Sequence, residues 1–117
     1  MKSGERGAYG EALVAAYLRR RGYTVTAANY RCRYGEIDLI ARDGDILCFI
    51  EVKLRSDTAH GLPRESVTAA KRARLRTTAE FYLAAHELDC PARFDVAEVY
   101  VDENGGAARI EYLENAF

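Results

Sequence analysis

The stretch that decides the fold reads Glu36-Ile37-Asp38-Leu39-Ile40-Ala41, then Arg42-Asp43-Gly44-Asp45, then Ile46-Leu47-Cys48-Phe49-Ile50-Glu51-Val52-Lys53. Two β-rich runs flank a segment in which Asp-Gly is among the strongest short-range hairpin signals, so the runs are predicted to pair antiparallel. Alternate side chains of a strand point to opposite faces, and directly opposed residues of an antiparallel pair share a face. With a loop of either two or four residues, Ile37, Leu39 and Ala41 then share a wholly apolar face with Ile46, Cys48, Ile50 and Val52. The other face carries Ile40, Leu47 and Phe49 near the turn, and Glu36, Asp38, Glu51 and Lys53 at the far end. Depending on loop length, Asp38 lies directly across from Glu51 or on the adjacent diagonal, roughly 5 to 8 Å away at the backbone.

Working outward, residues 5–21 read as a helix with Ala8, Glu11, Ala12, Ala15 and Leu18 on one stripe and Gly22 as its stop. Residues 23–28 alternate as a half-exposed strand does, and residues 29–35 read as a polar loop. Beyond the hairpin come a loop over residues 54–63, a long Ala/Arg/Leu helix over 65–87, a strand over 93–101, a turn at Asn104-Gly105-Gly106 and a last strand over 109–113. A strand, a long helix and a strand in succession imply a right-handed crossover with parallel pairing between those two strands. The order αβββαββ predicts an α/β fold of three layers, a mixed sheet of about five strands flanked by helices.

At 117 residues the chain is one domain, with 49% hydrophobic and 30% charged residues, enough to bury a core. Seventeen basic residues face eighteen acidic ones, so any electrostatic site must come from clustering. The longest apolar run, residues 12–18, is far short of the roughly 20 needed to span a bilayer. It follows Glu11 and precedes Arg19, Arg20 and Arg21, the reverse of a signal peptide's order, so the expectation is a cytoplasmic protein with no membrane partner. Cys32, Cys48 and Cys90 form no C-x-x-C pair and read as free thiols, Cys48 in the core. Fourteen of the basic residues are Arg and three are Lys: Lys2, Lys53 and Lys71.

Carboxylates gathered in low dielectric repel unless something neutralises them, and here a divalent cation or Lys53 would do so. Oxygen-rich sites suit Mg²⁺ or Mn²⁺ and lack the His and Cys that zinc prefers. Glu11, interrupting the small apolar stripe of the first helix, is a further acid for the same site, because buried Glu is uncommon unless paired. The plainer alternative makes Glu51 and Lys53 strand-end residues and gives Asp38 and Glu36 ordinary surface ion pairs. Against it stands the choice of Lys53 in an Arg-rich chain, since Lys offers a compact charge whose pKa moves readily.

Between residues 64 and 76 lie five basic residues, Arg64, Lys71, Arg72, Arg74 and Arg76, against one acid, Glu65. Such a cluster suits phosphate contacts, or else is an Arg-rich solvated helix face. Arg19, Arg20 and Arg21 read as partners of the first helix's C-terminal dipole. Tyr30, Arg31, Arg33 and Tyr34, ahead of the hairpin, mix aromatic and basic groups, either to stack on bases or to pack. His60 and His86 have no partner at ligand or triad spacing. No nucleophile-elbow, P-loop or dinucleotide fingerprint occurs.

Asp38 followed after a hairpin by Glu51-Val52-Lys53 resembles the PD-(D/E)XK nuclease core, and Glu11 on a preceding helix is similar to the archaeal Holliday-junction resolvases. More closely, Gly10-Glu11, Gly35-Glu36-Ile37-Asp38-Leu39-Ile40-Ala41, Phe49-Ile50-Glu51-Val52-Lys53 with Arg55, Lys71, Arg93-Phe94-Asp95-Val96 and the ending Asn115-Ala116-Phe117 resemble the YraN-like family of uncharacterised bacterial proteins. Ile37 stands where the superfamily's name has Pro, and Arg72 where Gln is expected beside Lys71. The resemblance covers essentially the whole chain. It implies a restriction-endonuclease-like fold, with Asp38 and Glu51 as metal ligands, Glu11 as an accessory ligand or water-holder, Lys53 near the attacked phosphate, and Mg²⁺ or Mn²⁺ as cofactor. The implied activity is structure-selective phosphodiester hydrolysis in nucleic acid, with DNA as the expected partner and resolvase-like symmetry favouring a homodimer of this chain. The competing classes are a catalytically silent nucleic-acid-binding module and a protein-interaction domain.

Overall fold

Two helices and five strands follow in the predicted order: α1 (Ser3–Arg20), β1 (Thr24–Cys32), β2 (Gly35–Asp43), β3 (Ile46–Ser56), α2 (Ala69–Ala85), β4 (Ala92–Val101) and β5 (Ala107–Leu113). The computed structural model describes residues 3–56, 68–102, 104 and 107–117; His60, Arg64, Glu65 and most of the turn before the last strand lie outside the described residues. The strands form one sheet in chain order. β2 runs antiparallel to both β1 and β3, β3 and β4 pair in parallel across α2, and β5 returns antiparallel on β4. The strand, helix, strand succession therefore does what it predicts.

Opposite faces of this sheet carry separate apolar clusters. Val14, Ala15 and Leu18 of α1 pack on Leu39, Ala41, Cys48, Ile50, Ala97 and Val99. Leu75, Ala79 and Tyr82 of α2 pack on Ile37, Ile40, Leu47, Phe49 and Val96. The result is the expected helix, sheet, helix layering, in which each fully buried aliphatic or aromatic side chain contributes about 1.5 to 3 kcal/mol. Cys48 lies in the first cluster and is a free thiol that burial, chiefly, pushes up to about 12, so it packs as a small hydrophobe.

Several expectations need correction. The stripe of α1 that meets the sheet is Val14, Ala15 and Leu18, whereas Ala8 and Ala12 are exposed. The polar loop foreseen over residues 29–35 shrinks to a turn at Arg33 and Tyr34, because β1 runs on to Cys32 with Asn29 at φ 53 inside it. Asn is among the residues that tolerate this left-handed conformation, so a turn-forming residue sits inside a strand. β3 extends to Ser56 and α2 begins only after Thr68, whose hydroxyl accepts from the Lys71 N–H at 3.2 Å.

The hairpin loop has two residues, Gly44 and Asp45, between the paired Asp43 and Ile46. Gly44 has φ +60, the value that the first loop position of a type II′ turn demands, so the glycine, rather than the Asp-Gly pair, sets the turn. The hairpin also departs from its predicted faces at one residue. Leu39 pairs with Ile50, and the ladder between β2 and β3 ends there. Ile37 consequently joins the α2-side cluster with Ile40 and Phe49 and does not share a face with Leu39.

Candidate active site

The end of that ladder makes the site. Continuing the register would set Asp38 opposite Glu51, but the strands part, and the Val52 N–H donates to Asp38 Oδ2 at 2.8 Å. A side-chain carboxylate has taken a ladder position that a backbone carbonyl would fill, which opens a gap at the point where acids from both strands emerge. α1 closes over the gap. At Gly10 the helix rests directly on β3, where an added Cβ would meet Leu54 Cδ1 at 3.4 Å and Val52 Cγ1 at 3.5 Å. The next residue, Glu11, is thereby carried over the hairpin.

An open pocket of about 440 Å³ results, lined by Glu11, Asn29, Arg31, Glu36, Asp38 and Glu51 together with Gly7, Ala8, Gly10, Val52 and Leu54. The structure thus brings Glu11, Asp38 and Glu51 to one cavity. Burial pushes the Asp38 carboxyl up to about 6, and the charge of Glu51 adds to the shift, with smaller pushes from Glu11 and Glu36; the Val52 hydrogen bond opposes them. Glu11 is raised for the same reasons, burial first, against a hydrogen bond from Asn29. Asn29 is the pocket residue that sequence reasoning passed over as loop. Its signal was an Asn in an otherwise β-like run, the residue type that accepts φ > 0 at little cost.

Glu51 finds its counter-charge in a residue assigned from sequence to the basic cluster. Lys71 Nζ donates to Glu51 Oε1 at 2.6 Å, across from α2. Burial disfavours the Lys71 ammonium, but its hydrogen bond to Glu51 and the charges of Glu51 and Asp38 outweigh burial and raise its pKa. Lys53 is half-buried, outside the pocket lining and beside Lys71. Lys71 thus meets Glu51 directly, and Lys53, two residues along β3 from Glu51, meets Lys71, in a chain that otherwise uses Arg.

The remaining basic residues disperse. Arg72 lies over the Phe117 ring at 5.6 Å and Arg76 over Phe94 at 5.0 Å, on the side of α2 that meets the C-terminal end of the chain. Arg74 is exposed and faces Gly35 and Glu36. Arg31 pairs with Glu36 at 2.9 Å, at the mouth of the acid pocket. Arg33 donates to the Tyr34 hydroxyl at 2.7 Å. Tyr30, half-buried, packs edge-on against Tyr82 at the margin of the α2-side cluster, its centroid 5.0 Å away, which favours the packing role. Arg64 lies outside the described residues.

Among the described residues no three of His, Cys, Asp and Glu are drawn close enough to form a ready-made metal cage. The donor set nevertheless suits a hard ion that keeps most of its water: Mg²⁺ commonly binds through one or two carboxylates, and the roomy pocket leaves space for a partial hydration shell. Asp38, raised by burial first and then by its acidic neighbours, is the group whose ionisation a cation would favour most.

Fold and pocket together define a three-layer α/β protein whose acids and lysines meet where its central hairpin divides. A family model described as uncharacterised protein family UPF0102 matches residues 10–99. A UPF0102 protein of Nitrosomonas europaea is 44% identical, covering 98% of this chain and 95% of its own length. One from Syntrophus aciditrophicus is 46% identical over 95% of this chain and 87% of its own. One from Beutenbergia cavernae is 47% identical over 92% and 91%. The chain belongs to the UPF0102 family, the one that its motifs resemble. No helix among the described residues is long and apolar enough to cross a membrane.

Proposed function

We propose that this protein is a metal-dependent nuclease that hydrolyses phosphodiester bonds in structured nucleic acid, with DNA as the first substrate to test. The reading places it beside the PD-(D/E)XK enzymes and archaeal junction resolvases. The observation that carries it is the displaced Asp38 carboxylate, half-buried against Glu51 at the parting of the hairpin, with Lys71 bonded to Glu51 and Lys53 beside Lys71.

When bound, Mg²⁺ or Mn²⁺ supplies polarisation of a phosphoryl oxygen and acidification of a water. Asp38 and Glu51 are the groups to hold it, and Glu11, on the opposite wall, orients water in the pocket. Lys53 and Lys71 place positive charge where a phosphate would otherwise meet only acids, offsetting the negative charge that builds up in the transition state. The Lys71–Glu51 pair favours a second reading, a nucleic-acid-binding module without chemistry, because Lys71 already balances Glu51.

Cleavage of linear, flap, junction and RNA substrates in Mg²⁺ or Mn²⁺ separates the two readings. Activity lost in Asp38→Asn, and severely reduced in Lys53→Arg although charge is kept, supports the enzyme. Absence of cleavage by wild type, or its survival in both variants, leaves the binding module.

A further inference from the structure

The surface of α2 continues beyond the acid pocket. Lys71, Arg74, Thr77 and Phe81 follow one another along the helix in steps of three to four residues, a stripe about 15 Å long. At its end stand the large hydrophobic side chains left exposed among the described residues, Phe81 at 41% and Tyr34 at 36%. They touch each other, with ring centroids 5.7 Å apart and planes inclined at 58°. The Arg33 guanidinium lies over the Tyr34 ring at 4.9 Å and fixes it through the hydroxyl.

Gly35 sets this position. Its φ of +150 and the Thr78 hydroxyl, 3.1 Å from where a Cβ would stand, leave room only for glycine, so the Arg33-Tyr34 turn lies close against α2. Tyr34, Ala73, Arg74 and Thr77 enclose a shallow hollow of about 180 Å³. Arg74 also lines the neighbouring hollow with Glu36 and Lys71, and Glu36 lines the acid pocket. Arg74 and then Glu36, each shared between adjacent hollows, link the rings to the carboxylates along the surface.

Exposed aromatic rings with guanidinium groups against them match the chemistry of an unpaired nucleotide, whose base stacks while its phosphate meets Arg. A duplex offers no such free face, because its bases stack on one another. We infer that Tyr34 and Phe81, with Arg33 and Arg74, form a stacking platform for an unpaired nucleobase, so that the strand led toward Asp38 and Glu51 is single-stranded there. This rests on the nuclease reading of the acid pocket and adds the form of nucleic acid it takes.

The test is fluorescence anisotropy with a labelled oligothymidylate, the same backbone made abasic, and a blunt duplex, each in chelator with wild type and a Tyr34→Ala/Phe81→Ala variant. Phe81→Ala alone is the second variant should the double one melt early. The expected result is a loss on the order of tenfold or more for oligothymidylate in the variants, with no change for the abasic strand. Phe81→Trp should keep or raise the affinity. Equal oligothymidylate affinity in wild type and variants overturns the platform, as does preferred binding of the duplex. So does a wild-type dimer in sedimentation that the variants dissolve, which would assign the rings to a second copy of the chain. Cleavage in Mg²⁺ is run alongside with Asp38→Asn. Cleavage that needs Asp38 but ignores the ring variants sinks the platform alone, whereas no binding and no cleavage of any probe sinks both.

Discussion

Asp95 and Asp38 are both strand aspartates at the edge of a hydrophobic cluster, and the protein treats them in opposite ways. Asp95 is fully buried and accepts from Arg93 Nε at 3.0 and 3.1 Å, from the Tyr112 hydroxyl and from the Asn115 N–H at 3.0 Å. Arg93 in turn reaches Asp43 at 3.3 Å, Glu114 at 2.8 Å and the Tyr23 hydroxyl at 2.7 Å. Tyr112, pushed up by burial and by its bond to Asp95, stays a donor at any pH of interest. Asp38 takes a single backbone hydrogen bond and faces Glu51, Glu11 and Glu36. A carboxylate supplied with donors holds structure together. One given acidic neighbours instead keeps acceptor capacity for something that comes from solution.

The largest effect that this contrast predicts is on stability. Asp95→Ala leaves Arg93 buried without its main partner and should cost about 3 to 5 kcal/mol, read from the urea midpoint. A cost similar to that of a surface change would remove the contrast.

Asp38→Asn should go the other way. The folded state raises the Asp38 pKa from 3.8 to about 6, so it favours the protonated form. That contribution to stability is complete below the unfolded pKa and is lost as pH rises through about 6. An Asn, which does not ionise and still accepts from Val52, should therefore stabilise the protein by about 1 to 3 kcal/mol near pH 7.5, and give no gain near pH 3.5. Thermal or urea unfolding at both pH values checks the sign. A loss at pH 7.5 would mean that Asp38 is structural in the manner of Asp95.

Lys71→Gln gives a smaller effect on the fold. Its ammonium is about one-third exposed, so loss of the Glu51 pair should cost roughly 1 kcal/mol or less. Divalent-ion affinity should rise in this variant, because Glu51 loses a competing partner; unchanged affinity would separate Glu51 from the ion site.

Much of the frame was legible because it rests on periodicity. The hairpin runs, the crossover after β3 and the alternating Leu39, Ala41, Cys48 and Ile50 follow from side-chain parity and turn chemistry alone. Ile37 was misplaced because parity assumes an unbroken ladder, and Asp38 breaks it by taking the Val52 N–H. The approach of Glu11 to Asp38 and Glu51 was read from one incongruous Glu in an apolar stripe, although Ala8 and Ala12, assigned to that stripe, are exposed. Lys71 escaped as a partner of Glu51 because local spacing carries no information on which strand residue a helix side chain meets across a crossover. Asn29 escaped because a left-handed residue within a strand leaves almost no periodic trace.

The central claim, that Asp38, Glu51 and Glu11 form a hard-cation site while Asp95 does not, is tested most directly by calorimetric titration of Mn²⁺ into wild type and Asp38→Asn at about pH 7.5 and about pH 5. Binding in wild type near pH 7.5, weakened near pH 5 as Asp38 takes up its proton and absent from Asp38→Asn at either pH, is the predicted result. Equal heats from both proteins, or wild-type binding indifferent to pH, would contradict it.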